Sequence, residues 1–265
     1  MKTASAFVGA RGVDSLPFSQ GGTAAQARAL KATGVDFFVG YLGAMNKARL
    51  AYVLDAGLAY MPVTFAGEYK DGAADEIAQL RALGIPPGTT VWLDLEGLEA
   101  WKTDPVELMR LINNWATDIK AGGWIPGLYV GAPQPLTGAE LHALKVYRYW
   151  LGIGRCIDRT GKDAYPAAGW CMRQDWHGQK TGMLWKDTGV FVDTNSIQCD
   201  HLGRLPAWVV GGMGAADHEA DTQPELDAYR AEEPARTVHA MPSTEPICEH
   251  CHYPFRACAC APDAA

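Results

Sequence analysis

Residues 35–66 read VDFFVGYLGAMNKARLAYVLDAGLAYMPVTFA. The apolar run Val35–Leu42 predicts a strand buried on both faces. Asn46–Ala56 predicts a helix, and Gly57 behind it is a usual C-terminal stop. Leu58–Ala66 predicts the next strand. A strand, a crossover helix and a second strand of this length make a parallel βαβ unit.

The same unit recurs on both sides. Upstream, Ala6–Asp14 reads as a strand and Thr23–Thr33 as a helix ending at Gly34. Downstream, Ala73–Leu83 reads as a helix stopped by Gly84 and Pro86-Pro87, and Thr90–Glu96 as a strand. Asp104 caps a helix that has Pro105 at its first position and runs to about Ala121. Ile125–Val130 is a strand, Thr137–Lys145 a short helix and Tyr147–Ile153 a strand. Gly169–Trp176 and Val190–Asn195 read as two more strands, with no clear helix between them. Eight strands, most of them separated by helices, predict the α/β class and a (β/α)8 barrel of the TIM type, irregular in its last units. A doubly wound open sheet is the alternative. No Gly-x-Gly-x-x-Gly follows the first strand and there is no P-loop, so nucleotide binding has no support.

Composition sets the outer limits. The 265 residues are 48% hydrophobic and 20% charged, as in globular proteins, and no window approaches 18 uninterrupted apolar residues. The net charge of -7 argues against an electrostatic nucleic-acid binder. That charge is unevenly placed. Residues 1–210 hold 20 acidic and 20 basic residues, whereas residues 211–265 hold 10 and 3. Four of the seven cysteines and six of the sixteen prolines also lie in the last segment. The predicted organisation is therefore a barrel over 1–210, an acidic linker over 211–246, with one short helix at Pro224–Glu232, and a Cys-rich tail over 247–265. The first residues lack the length and cleavage site of a secretory signal. The expectation is cytoplasmic synthesis and no membrane association; if the protein acts outside the cell, something else must release it.

In a βα-barrel the chemistry sits where strands end and loops begin. The first strand ends Gly12-Val13-Asp14-Ser15, the fourth reads Val91-Trp92-Leu93-Asp94-Leu95-Glu96-Gly97, and the eighth reads Phe191-Val192-Asp193-Thr194-Asn195. Asp94 and Glu96 are two residues apart on one strand, so they share a face, with Cα atoms roughly 6.5–7 Å apart. Val91, Leu93 and Leu95 point the other way, toward helices. Two inward carboxylates this close cannot both ionise freely, and the one that keeps its proton is a candidate proton donor. Glycoside hydrolysis needs such a pair. Clustered carboxylates also suit Mg²⁺ or Ca²⁺, whereas no inward His is evident for zinc. Nine Trp and ten Tyr are enough to line a sugar cleft or to fill a core.

Together, Gly12-Val13-Asp14, Leu93-Asp94-Leu95-Glu96, Arg173-Gln174-Asp175-Trp176 and Val192-Asp193-Thr194-Asn195 resemble the landmarks of family-25 lysozymes. The closer resemblance, carried by the opening Gly-Val-Asp-Ser and by Val35-Asp36-Phe37-Phe38-Val39-Gly40-Tyr41, is to the related glycoside-hydrolase-like domain of actinobacterial proteins and their phages. It covers roughly residues 6–208. The resemblance implies N-acetylmuramidase activity: cleavage of the β-1,4 bond between N-acetylmuramic acid and N-acetylglucosamine in peptidoglycan. It implies Glu96 as general acid, with Asp94 assisting the substrate's acetamido group or stabilising the oxocarbenium ion. Asp14 and Asp193 would shape and tune the cleft. Tyr41, Tyr129, Trp150, Gln174 and Trp176 would line sugar subsites, packing being the alternative for the aromatics. One departure is the third strand, which ends Val63-Thr64-Phe65-Ala66-Gly67 without an acidic lining, Glu68 lying just beyond. The family also includes members whose catalysis is not established, and fold does not certify reaction, so a non-catalytic glycan-binding or phage structural protein is the alternative, and an enzyme on another sugar polymer is a third reading.

No cofactor is implied for catalysis. In the tail, Cys248, Cys251, Cys258 and Cys260 have the spacing C-x2-C-x6-C-x-C, which suits a structural Zn²⁺ closed by four thiolates, with a phage virion or cell-wall partner for the tail. Disulfides, or a reduced and disordered tail, are the other readings. Cys156, Cys171 and Cys199 are expected as buried free thiols.

Overall fold

In a computed structural model, the structure describes residues 1–66, 72–95, 104–131, 135–154, 156–181, 185–186 and 188–211, without the side chains of 180 and 181. Among these, eight strands close a barrel: β2 (Arg11–Asp14), β3 (Phe37–Tyr41), β4 (Ala59–Phe65), β5 (Thr90–Asp94), β6 (Ile125–Val130), β7 (Arg148–Leu151), β8 (Met172–His177) and β9 (Asp193–Ile197). Closure comes from β4, which pairs with both β3 and β5, and from β9, which pairs with both β2 and β8. The helices are α1 (Leu16–Gly21), α2 (Ala24–Ala32), α3 (Lys47–Asp55), α4 (Ala74–Leu83), α5 (Pro105–Ala121), α6 (Gly138–Ala143) and α7 (Gly178–Thr181).

Local chemistry sets most boundaries. Thr23 and Gln26 form a capping box at α2, and Asn46 accepts from the Arg49 N–H at α3. Asp104 accepts from the Val106 N–H at 3.0 Å, and Pro105 occupies the first turn of α5. Gly84 ends α4 with φ +74, a left-handed conformation that only glycine adopts cheaply.

Two apolar layers hold the barrel. Outside it, Val91, Leu93 and Leu95 of the fourth barrel strand pack with Ile112, Trp115 and other helix residues. Inside it, Phe37, Met61, Trp92, Trp150 and Trp208 form a separate cluster. Small residues make room for the large rings. A Cβ on Gly12 would lie 2.3 Å from the Phe37 ring, and one on Gly127 2.5 Å from the Trp92 ring.

Apart from the β7–β8 connection, which among the described residues has no helix, the barrel departs from eight repeated units in two places. The strands from β2 to β8 are parallel, but β9 is antiparallel to both neighbours. Among the described residues its connection from β8 contains only the four-residue α7, and an antiparallel neighbour needs no helical crossover over the sheet. The reversal matters for function. Asp193 begins its strand instead of ending it, yet that beginning lies at the same rim where β2 ends.

The second departure is at the other end. Ala6–Asp14 does not form one strand: β1 (Lys2–Ser5) and β2 are separated by a turn at Gly9, φ +85. β1 pairs antiparallel with β10 (Ala207–Val210), which touches β4 through Val209 and Tyr60. Trp208 then packs on Phe37 at 5.6 Å and edge-on to Phe7 at 5.7 Å, closing the floor of the barrel. Cys156 and Cys171 are buried free thiols, but Cys199 is exposed, against expectation, because it follows β9 in the loop that leaves the barrel.

Candidate active site

The rim that carries the C-terminal ends of β2 to β8 gathers the acids. Asp14 ends β2, Asp94 ends β5 and Asp193 opens β9; all three are buried, at 1%, 3% and 6% exposure. Asp14 and Asp193 lie directly opposite each other in the β2–β9 ladder. Such partners sit on one face with Cβ atoms roughly 4.5–5.5 Å apart.

Amide groups bind the two acids together. Asn195 Nδ2 donates to Asp14 Oδ2 at 2.7 Å, and Gln179 Nε2 donates to Asp14 Oδ1 at 3.1 Å. Gln179 is itself held, because its Oε1 accepts from the Leu16 N–H at 3.0 Å. Its backbone N–H donates to Asp193 Oδ1 at 2.9 Å. Asp193 Oδ2 meets Gln174 Nε2 and His177 Nδ1, each at 3.1 Å. Gln174 is fixed in turn by the Tyr129 hydroxyl, which donates to its Oε1 at 2.9 Å.

Burial pushes the Asp14 carboxyl well above the usual range, and the charges of Asp193 and Asp94 push it further; hydrogen bonds from Asn195 and Gln174 act the other way. A protonated Asp14 needs an acceptor. Asn195 Oδ1 is buried with no hydrogen-bond partner among the described residues. A half-turn of that amide exchanges Oδ1 and Nδ2, so Oδ1 would then accept from Asp14. The pair thus suits either protonation state.

The residues singled out in the sequence fall into four groups. Asp14, Asp94, Asp193, Gln174 and Tyr129 come together at the rim. Tyr41 borders it, stacked on Phe65 at 4.5 Å, and both line a groove of about 530 Å³ with Leu16, Gln20 and Gln79. Trp150 is instead packed inside the barrel against Tyr129 and Trp92. Trp176 lies against Trp185 at 5.7 Å, away from the acids. Glu96, Glu68 and the four tail cysteines lie outside the described residues. Among the described residues, no group of three or more His, Cys, Asp or Glu side chains is arranged to hold a metal ion.

His177 and Gln179 were not anticipated. The expectation of no inward His fails because β8 is not regular. Gln174 lies opposite Asn195 but Trp176 opposite Thr194, so Asp175 is the extra residue of a bulge. Strict alternation after Gln174 turns Trp176 inward; the bulge turns His177 inward instead. Gln179 carries no strand signal, and only its contacts with Asp14, Leu16 and Asp193 in the folded chain reveal it.

Fold and rim define the chain as an α/β barrel with a buried acid cluster at the end where such barrels place their chemistry. No family model matches the chain, and no curated protein does. Solved structures do resemble it. An uncharacterised protein of B. stearothermophilus has a TM-score of 0.53 at 18% identity, covering 72% of this chain and 96% of that one. The bacterial lysozyme of Streptomyces coelicolor has a TM-score of 0.50 at 13% identity, covering 74% and 95%. At these identities the likeness establishes a shared barrel fold.

Proposed function

We propose that the chain is a glycoside hydrolase of the muramidase type, cleaving the β-1,4 bond of peptidoglycan. The observation that carries this reading is the convergence of Asp14, Asp94 and Asp193 on one rim, with one acid held toward its protonated form. Hydrolysis of a glycosidic bond needs a proton for the leaving oxygen and negative charge beside the cation-like sugar. Asp94 supplies the charge, or orients the substrate's acetamido group. Glu96, two residues on, delivers the proton. Asp14 and Asp193 shape the rim and tune the other two acids, since negative charge nearby disfavours ionisation of a further carboxyl and so favours Glu96 as the acid, and the Tyr41–Phe65 pair offers a sugar ring an apolar face. The barrel shared with the Streptomyces lysozyme is consistent with this reading.

On the same reading the chain is a cell-wall lysin, an endolysin or virion-borne, whose partner is the glycan strand. Catalysis uses no cofactor, and Cys248, Cys251, Cys258 and Cys260 hold a structural Zn²⁺.

Release of reducing ends from purified actinobacterial peptidoglycan tests the proposal. Glu96→Gln should cut that release by roughly 10²–10⁴-fold while glycan binding persists, because only the transferable proton is lost. Wild-type protein that binds the glycan and releases nothing would instead mark a non-catalytic binder. The packing of Trp150 inside the barrel favours this second reading, since it removes one expected sugar contact.

A further inference from the structure

The bulge in β8 does more than turn a side chain. It brings two donors from one strand to one oxygen: Gln174 Nε2 and His177 Nδ1 both lie 3.1 Å from Asp193 Oδ2. An ionised carboxylate only accepts, so Nδ1 carries a hydrogen in this contact. The imidazole meets that condition in two states. Neutral, it has its hydrogen on Nδ1; as imidazolium, it has one on each nitrogen. Gaining or losing the second proton therefore changes the charge beside Asp193 without breaking the bond between them. The ring is also within reach of solvent protons, its side chain being 22% exposed.

Asp193 faces Asp14 across the β2–β9 ladder, and Gln179 ties the two together. We propose that His177 is a further positioning residue of the candidate site: it clamps Asp193 through Nδ1, and its protonation sets how much of the Asp193 charge reaches Asp14. The inference rests on the reading that these acids form the reactive rim. Among the described residues, the other titratable groups facing this corner are Asp94 on β5 and Tyr129 on β6, whose hydroxyl is committed to Gln174. Arg173 and Asp175 of β8 lie at the bulge, 3.9 Å from each other, and Asp175 accepts from Ser196 of β9. An imidazolium at 177 lets Asp14 ionise more readily; a neutral ring leaves Asp193 at full strength against it.

The test is carboxyl ¹³C NMR of Asp14 across pH in the full chain, with the His177 ring followed in parallel. The wild-type Asp14 curve should carry two steps, one coinciding with the His177 titration. His177→Asn keeps a donor for Asp193 but never a charge. Its Asp14 curve should lose the step that coincides with His177 and have a midpoint higher by roughly one pH unit. His177→Phe should raise the midpoint likewise and also shift the Asp193 carboxyl signal. A folded His177→Asn chain with an unchanged Asp14 midpoint would overturn the proposal. The measurement needs no turnover. Wild-type protein inactive on peptidoglycan would therefore remove the hydrolase reading while the coupling stood, and an uncoupled but active protein would do the reverse.

Discussion

The barrel has two unlike halves. From β2 to β6 each strand is followed by a helix, the strands up to β7 are parallel, and inner positions are filled by Phe37, Met61, Trp92 and Trp150. From β8 to β9 the helical cover among the described residues is a single four-residue turn, the pairing is antiparallel, and the inner positions near the rim are Gln174, His177, Asp193 and Asn195. The first half is held by apolar burial, which is large and non-directional. The second is held by hydrogen bonds between groups that cost free energy if left unpaired. Stability and chemistry are thus drawn from different sides of one barrel, meeting where Asp14 pairs with Asp193.

The comparison can be broken most violently in the apolar half. Trp92 is fully buried and fills the space that Gly127 leaves open. Trp92→Ala should cost about 3–5 kcal/mol in urea denaturation, through lost transfer energy and an unfilled cavity. A cost under about 1 kcal/mol would mean the interior is not close-packed.

The polar half should respond with the opposite sign. Asp14 is raised in the folded state, so it favours folding fully below the unfolded carboxyl value near pH 4, and that contribution is lost as pH climbs through the folded value. Wild-type stability should therefore fall as pH rises through that range. Asp14→Asn removes the ionisable group, so its stability should be flatter with pH and higher than wild type by roughly 1–3 kcal/mol at pH 8. Denaturant midpoints at pH 4 and pH 8 for both chains check this. A stabilised but inactive Asp14→Asn is the result expected of a site that keeps a strained charge for function.

The two halves also differ in how far they were legible. The β2–β7 half follows from local signals. Alternation on β5 sends Leu93 outward and Asp94 inward, Asp104 and Pro105 start α5, and Gly57 and Gly84 mark helix ends, all within a few residues of sequence. The remainder depends on pairing between distant segments. Nothing near Asp193 states that its strand runs backwards, and nothing near Asp175 states that one residue is extra; both are properties of a ladder with another strand. The acids at the rim were still found, because an antiparallel strand entering at the rim places its first residue where a parallel one would place its last. The partners His177 and Gln179 were not, because their roles exist only once that ladder forms.

A gentler probe of the polar half is Tyr129→Phe, which deletes the donor to Gln174 Oε1. Gln174 keeps a second donor, the Ile153 N–H at 3.3 Å, so the cost should stay at roughly 0.5–1.5 kcal/mol. A larger loss, measured by the same denaturation, would mean that the network is cooperative and that Gln174 swings away from Asp193 without the hydroxyl.

The smallest expected effect on the site comes from the most drastic-looking edit, deletion of Asp175. With that residue gone, Gln174, Trp176 and His177 become consecutive, and ordinary alternation places the first and third on the inner face. Their partners Asn195, Thr194 and Asp193 are consecutive on β9 as well, so each keeps its place in the ladder. The His177–Asp193 contact should survive, visible as an unchanged His177 ring titration, and the only losses are the Asp175 contacts with Ser196 and Arg173. Deleting Leu93 from β5 makes the control. That strand is regular, so removal of one residue reverses the facing of every position beyond it and sends Asp94 out of the rim. If deleting Asp175 were as damaging as deleting Leu93, the bulge would be setting the twist of β8 rather than accommodating an extra residue, and the inward turn of His177 would need another cause.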